Sequence, residues 1–181
     1  MFTDGRSKKV VFLAHCLLNQ NAISDGTAAY PAAFQELIRF FLDNEVGIVQ
    51  LPCPELCCLG LDRGNVLGAQ SPVTVENTRI RTAMGASGPA RRLAVLVDHV
   101  MLQVAEYHQH GFHIVALIGC NRSPSCGVET TSVQNLEVPG QGLFFEALAQ
   151  RLQATGLELP LLGVKASDDV SSVLSRLGAL L

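Results

Sequence analysis

The chain has 181 residues and a formal net charge of −3, with 48% hydrophobic and 16% charged residues. These values predict one globular domain over residues 1–181 with an ample core, and they exclude a disordered chain. Because no global positive charge is present, we expect a small-molecule partner rather than nucleic acid.

Short apolar runs rich in Val and Ile recur along the chain and predict buried strands of a mainly parallel sheet. Apolar residues at helical spacing fill the segments between them. The expected fold class is therefore α/β, a Rossmann-like single domain with helices flanking the sheet. The predicted strands cover 10–14, 46–51, 114–118 and about 159–164.

Four helices are predicted from the same periodicity and from their flanking residues. They cover 34–42 with Pro31 placed to start it, 93–104 with Gly111 as the stop, 143–154 ending at Gly156, and 168–180 with Ser167 as N-cap.

The segment 56–88 shows no sustained periodicity and is rich in Gly, Ser, Thr and Asn. Long irregular segments in compact domains are usually functional or disordered. Because this one follows Cys53 and Glu55, we predict an active-site loop insert. The alternative is a surface excursion with a small hairpin around 73–75 and 79–81.

The apolar run near the N-terminus extends only over 10–14 before His15 interrupts it. That is too short for a signal-peptide core or a membrane span. We therefore expect a cytoplasmic protein, with no membrane partner and with reduced thiols. Six cysteines are too few for a disulfide scaffold, so spaced cysteines indicate metal binding or catalysis.

Three of the cysteines follow apolar runs and are framed by small or turn-forming residues: Cys16, Cys53 and Cys126. Loops at the carboxyl ends of parallel strands meet at one edge of the sheet, where open α/β sheets bind their ligands. We therefore predict that these thiols meet at one place and form a metal site.

The spacing of the cysteines favours one kind of metal centre over another. A structural zinc site needs four ligands, usually supplied as two short-spaced pairs. This chain offers the pairs Cys53-x3-Cys57 and Cys120-x5-Cys126. Their spacings fit a structural zinc site poorly. Three thiolates suit a [4Fe–4S] cluster with one open iron better. Ordinary buried thiols, or a metal-free thiol hydrolase using Cys126 or Cys120, remain alternatives.

Three motifs in order resemble a known family. They are Cys16-Leu-Leu-x-x-Asn21-x-x-x-Asp25-Gly26, Cys53-Pro-Glu55 and Arg122-Ser-Pro-Ser-Cys126-Gly127. They resemble the TudS-type desulfidases, formerly a domain of unknown function (DUF523), and the chain looks like a divergent branch of that family. The resemblance implies a Rossmann-like fold, a [4Fe–4S] cluster with one iron not bound by protein, and hydrolytic removal of sulfur from thiolated pyrimidines such as thiouracil.

The resemblance implies a role for five residues: cluster ligation for Cys16, Cys53 and Cys126, general acid/base catalysis for Glu55, and assistance at the substrate for Ser123. We further expect substrate contact from Asn21, Asp25 and Ser125. From the residues alone, Asn21 and Asp25 could instead stabilise a loop, and the two serines could be turn residues.

The chain also departs from the family pattern within the expected pocket. Asn19 stands where family members carry Gly, and Ser24 where they carry an aromatic residue. The stretch from Cys57 to Arg63 replaces a Gly-Gly pair and a Pro-Arg-Pro-like sequence. We therefore expect a thiouracil-like nucleobase, nucleoside or related small compound as substrate. The alternative function is that of a non-catalytic iron–sulfur redox sensor or a carrier of clusters or sulfur. Cys120 is a candidate for a spare thiol beside the site.

Overall fold

The computed structural model of the protein describes residues 2–165 and 167–181. These residues form six strands: β1 Lys9–Leu13, β2 Gly47–Gln50, β3 His113–Cys120, β4 Thr130–Val133, β5 Leu136–Pro139 and β6 Leu161–Val164. Four of them form a parallel sheet in the order β2-β1-β3-β6, and β4 pairs with β5 as an antiparallel hairpin.

Helices lie on both faces of the parallel sheet. Within the described residues they are α1 His15–Leu18, α2 Gln35–Asp43, α3 Pro54–Leu59, α4 Val73–Met84, α5 Ser87–Gln109, α6 Leu143–Ala154 and α7 Val170–Gly178. Across residues 2–165 and 167–181, no helix combines the length and apolar character needed to cross a membrane.

Successive side chains of β1 point to opposite faces, as the pleat of a strand requires. Phe12 belongs to the core built with α3, α4, α5 and α6, whereas Leu13 belongs to the core built with α1, α2 and α7. Burial on both faces explains why the strand reads as an unbroken apolar run. The predicted α/β fold, with a mainly parallel sheet flanked by helices, is confirmed.

The strand order places a crevice between β1 and β3. The chain leaves β1 through α2 on one face and reaches β3 through α3, α4 and α5 on the other face. Where successive connections go to opposite faces of a parallel sheet, the loops at the carboxyl ends diverge and open a ligand site.

Two predicted helix starts are wrong for local reasons. Helix α2 begins at Gln35, not beside Pro31, because the amide oxygen of Gln20 accepts the backbone N–H groups of Ala29 and Tyr30 and holds that segment in a loop.

Helix α7 likewise begins at Val170 rather than 168. Its N-cap is Asp169, whose carboxylate accepts the backbone N–H of Ser172, so Ser167 is not the cap. The helix predicted over 93–104 is longer than expected, because α5 covers Ser87–Gln109, and Gly111 follows its end as predicted. The remaining predicted elements are confirmed with small differences at their ends, and α6 has about the predicted bounds.

The prediction of an irregular segment over 56–88 is wrong, because the 12-residue helix α4 lies within it. The alternative hairpin is wrong for the same reason, since both of its strands fall in α4. The buried face of α4 carries Glu76 and Asn77 beside Ile80 and Met84. Two polar residues on a buried face hide the apolar period by which a helix is recognised in sequence.

Candidate functional site

A cavity of about 190 Å³ lies at the crevice between β1 and β3. Four thiols line it, each carried by a different piece of chain: Cys16 in α1 after β1, Cys53 as the N-cap of α3 after β2, Cys120 as the last residue of β3, and Cys126 in the loop beyond. The structure thus places the three predicted ligands on one cavity and adds Cys120 to them.

Burial controls the protonation of these thiols. It raises the pKa of Cys53 to about 12, with a further increase from the negative charge of Glu55. Burial also raises the pKa of Cys126, and the neighbouring Cys16 and Cys53 add to that rise. Without a metal, both buried thiols are therefore protonated at neutral pH. Because metals bind thiolates, metal binding at this site must release protons.

Cys16 and Cys120 form a close thiol pair whose sulfur atoms are 3.1 Å apart. The hydrogen bond with Cys16 raises the pKa of Cys120, and burial raises it further. Both residues are partly exposed, so reagents that enter the cavity can reach the pair.

In the metal-free protein, glutathione disulfide is expected to convert Cys16 and Cys120 to a disulfide. Their sulfur atoms need to approach by only about 1 Å to reach the S–S bond length of about 2.05 Å. The two thiols lose two protons and two electrons, and the reagent is reduced to two glutathione molecules. Peptide mapping without reductant should recover the Cys16–Cys120 cross-link. A product joining other cysteines instead would contradict this geometry.

Glu55 faces the same cavity from the first turn of α3 and is 6% exposed. Its Oε1 accepts hydrogen bonds from Ser125 Oγ at 2.6 Å and Ser123 Oγ at 3.4 Å. Its Oε2 accepts from Ser24 Oγ at 3.1 Å and Arg63 Nε at 3.2 Å. These four donors occupy all the acceptor sites of the Glu55 carboxylate, so its side chain is held in one orientation.

Arg63 is the main site residue that sequence reasoning missed. It is 3% exposed and forms a buried ion pair with Glu55. Its Nη2 also donates to the carbonyl of Ala22 and to Cys53 Sγ at 3.6 Å. One guanidinium therefore ties the loop after α1 to both site residues of α3. The stretch from Cys57 to Arg63 was expected in the pocket, but no sequence pattern singles out Arg63, because its contacts with Glu55 and Ala22 form only in the folded chain.

Ser123 shapes the loop that carries Cys126. Its Oγ accepts the backbone N–H groups of Ser125 at 3.3 Å and Cys126 at 2.9 Å. The loop closes where the backbone N–H of Cys120 donates to the carbonyl of Cys126 at 2.9 Å. Ser123 can therefore stabilise the turn and also contact Glu55, because one hydroxyl group can accept and donate hydrogen bonds at the same time.

The structure does not bring Asn21 and Asp25 to this cavity. Asn21 is exposed, and its backbone N–H and side-chain amide both donate to Asn19 Oδ1. Asp25 is exposed and lines a smaller neighbouring cavity of about 30 Å³, which shares Ser24 and Thr27 with the thiol cavity. The hydrogen bonds of Asn21 fit the loop-stabilising alternative. Gln20, which sequence reasoning passed over, is 5% exposed, lines the thiol cavity and donates from Nε2 to the carbonyl of Cys16 at 2.7 Å.

The donor set of the cavity suits one of the two metal centres considered above better than the other. Among the described residues, no three or more His, Cys, Asp or Glu side chains are arranged to hold a metal ion. Ligands of a single zinc ion must converge, with metal–sulfur bonds of about 2.3 Å, so the zinc alternative gains no support. A cubane cluster requires less convergence, because each thiolate binds its own iron. The three thiols from separate loops around one cavity fit that requirement.

The fold and the site together define an α/β protein with a thiol-lined cavity, bearing a buried carboxylate, at the switch point of a parallel sheet. No family model matches the chain. An uncharacterized protein of Methanocaldococcus jannaschii is 43% identical over 58 residues, which are 32% of this chain and 37% of that protein. The chain thus matches little more than a third of the length of this curated relative.

Among solved structures, the chain is similar to the [4Fe–4S]-dependent thiouracil desulfidase TudS. The alignment covers 93% of this chain and 99% of that protein, with 16% sequence identity and a TM-score of 0.41. At this level of identity and superposition, the activity of that enzyme does not transfer to this chain.

Proposed function

We propose that this protein is an iron–sulfur-dependent desulfidase. Cys16, Cys53 and Cys126 would hold a [4Fe–4S] cluster with one iron free of protein ligands, and the substrate would be a thiolated nucleobase, nucleoside or related small compound. The observation that carries the proposal is that these three thiols and the buried Glu55 face one cavity. The reaction exchanges C=S for C=O, consumes one water, releases sulfide and transfers no net electrons.

When bound, the cluster supplies a Lewis-acidic iron that can accept the sulfur of the substrate. The chain supplies the proton acceptor. Glu55 carries a negative charge that Arg63 compensates, and its oxygens face the cavity. A carboxylate within hydrogen-bond reach of a water can take its proton as the water attacks carbon.

The two serines on Oε1 of Glu55 have different parts in this scheme. Ser125 is 1% exposed and donates at 2.6 Å, so it fixes the carboxylate. Ser123 is partly exposed and donates at 3.4 Å, which is the longest of the four hydrogen bonds. A water that enters beside Ser123 can replace the serine hydroxyl as a donor to Oε1 of Glu55. The displaced hydroxyl can then orient that water.

The cavity favours a small substrate. Its volume of about 190 Å³ is below the range of about 300–1,000 Å³ for sites that bind drug-sized ligands, and a cluster would occupy part of it. Its walls combine apolar side chains, including Ile23 and Val73, with the polar Asn77 and Arg122. That mixture suits a flat heterocycle with polar edges.

Replacing Glu55 with Gln is expected to lower sulfide release by about 10²–10⁴-fold, the usual contribution of a general base, while iron content is unchanged. The protein is purified without oxygen, reconstituted with iron and sulfide, and incubated with 2-thiouracil and 4-thiouridine. Iron per chain and sulfide released are then measured. Glu76→Gln is the matched control, because Glu76 is also buried and ion-paired but does not line the thiol cavity.

A wild-type protein that holds no iron after reconstitution would overturn the proposal. A loaded Glu55→Gln variant as active as wild type would instead remove Glu55 from catalysis and leave the desulfidase activity in place. A loaded wild-type protein that releases no sulfide from any thiolated compound would favour the sensor or carrier function instead.

A further inference from the structure

Cys120 has no role in the proposed function, yet its thiol lines the same cavity as the three proposed ligands. It does not belong to the sheet interior, because it ends β3 at the crevice and is partly exposed. Its sulfur lies 3.1 Å from that of Cys16, and its backbone N–H donates to the carbonyl of Cys126. Cys120 is thus hydrogen-bonded to two of the proposed ligands. Its side chain contacts Cys16, and its backbone N–H contacts Cys126.

The short distance between the two sulfur atoms excludes simultaneous ligation in this arrangement. Two thiolates on one tetrahedral metal ion, with metal–sulfur bonds of about 2.3 Å, lie about 3.8 Å apart. Thiolates on different irons of a cluster lie farther apart still. Sulfur atoms at 3.1 Å therefore share one ligand position, which one or the other can fill.

We propose that Cys120 is an alternative ligand for the iron that Cys16 would hold. This inference rests on the proposed function, because it requires a bound cluster. It does not require the protein to have any enzymatic activity. The replacement requires the Cys120 sulfur to move into the position of the Cys16 sulfur, 3.1 Å away, by rotation about the χ1 bond of Cys120. The site then keeps three thiolates when Cys16 is alkylated, oxidised or substituted.

The other proposed ligands lack such a substitute among the described residues. Cys57 and Cys58 are near Cys53 in sequence, but neither lines the cavity: Cys57 is exposed on α3, and Cys58 packs into the core beside α5. The inference therefore predicts an asymmetry, in which one ligand is dispensable and two are not.

Iron and acid-labile sulfide per chain, measured after anaerobic reconstitution, test this asymmetry. Cys16→Ser is expected to keep at least about half of the roughly four irons of a [4Fe–4S] cluster. Cys53→Ser, and the double variant Cys16→Ser with Cys120→Ser, are expected to lose about tenfold or more. Cys120→Ser alone and the exposed-thiol control Cys57→Ser should load like wild type.

Alkylation gives a second readout that does not depend on the double variant. In loaded wild type, iodoacetamide should modify Cys120, whereas in loaded Cys16→Ser the cluster should protect it. Mass spectrometry after cluster removal locates the modified residue. If wild type loads and Cys16→Ser is as empty as Cys53→Ser, the alternative ligand is refuted and the proposed function stands. If wild type itself does not load, both fail.

Discussion

Replacing Arg63 with Met is expected to destabilise the protein by about 3–5 kcal/mol, the cost of breaking a buried ion pair from one side. The side chains of Arg63 and Glu55 are only 2% and 9% exposed, so the carboxylate would be left with little water around it. The variant also loses the donors to Ala22 and Cys53. Chemical denaturation of the metal-free protein under reducing conditions measures the change.

A second substitution separates the charge effect from simple loss of packing. Adding Glu55→Gln to Arg63→Met removes the uncompensated charge, while the amide oxygen can still accept from Ser125. The double variant should therefore be more stable than Arg63→Met alone. Arg151→Met is the matched control, because the Arg151–Asp98 pair is 55% and 57% exposed and should contribute about 0–1 kcal/mol. An Arg63→Met variant as stable as this control would show that the buried pair contributes little.

Replacing Gly119 with Ala is expected to destabilise the protein by about 1–3 kcal/mol or more, as overpacking of a tight interior does. It should also lower cluster loading. A Cβ atom at Gly119 would overlap the carbonyl oxygen of Cys126 and lie 2.7 Å from Val128 Cγ2. That carbonyl accepts the hydrogen bond that closes the loop carrying Cys126. Relieving the overlap must therefore move a proposed ligand.

Gly47→Ala is the matched control for Gly119→Ala. Gly47 also lies in a strand of the parallel sheet, but its nearest contact from a new Cβ would be 3.5 Å, an ordinary van der Waals distance. Thermal unfolding and iron content should separate the two variants. If Gly119→Ala matches Gly47→Ala in both, close packing of β3 against the Cys126 loop is not required for the site.

The parallel sheet could be predicted from sequence because its strands are buried on both faces. Such strands read as continuous apolar runs bounded by turn residues, as 10–14 and 114–118 do. Helix α6 could be predicted closely, since it presents buried Phe144, Leu148 and Leu152 at regular helical spacing. Where buried residues recur at a regular period, the local sequence is sufficient to predict the helix or strand.

Helix α4 could not be predicted because its buried face is partly polar. Glu76 is buried against Arg79 and Asn65, and Asn77 donates to Ser132 and to the carbonyl of Arg122. Each of these partners except Arg79 lies outside the helix, so only the folded chain satisfies the polar groups. A residue pattern records polarity but not whether a distant partner compensates it.

The chain's own sequence determined the α/β architecture and placed Cys16, Cys53 and Cys126 after strands, because the positions and burial of strands follow from apolar patterns. Only the tertiary structure decided which side chains meet. It brought Arg63 to Glu55, set Cys120 beside Cys16 and left Asn21 and Asp25 outside the cavity. Such contacts join residues far apart in the chain or reached through loops, and their geometry depends on packing that no local pattern encodes.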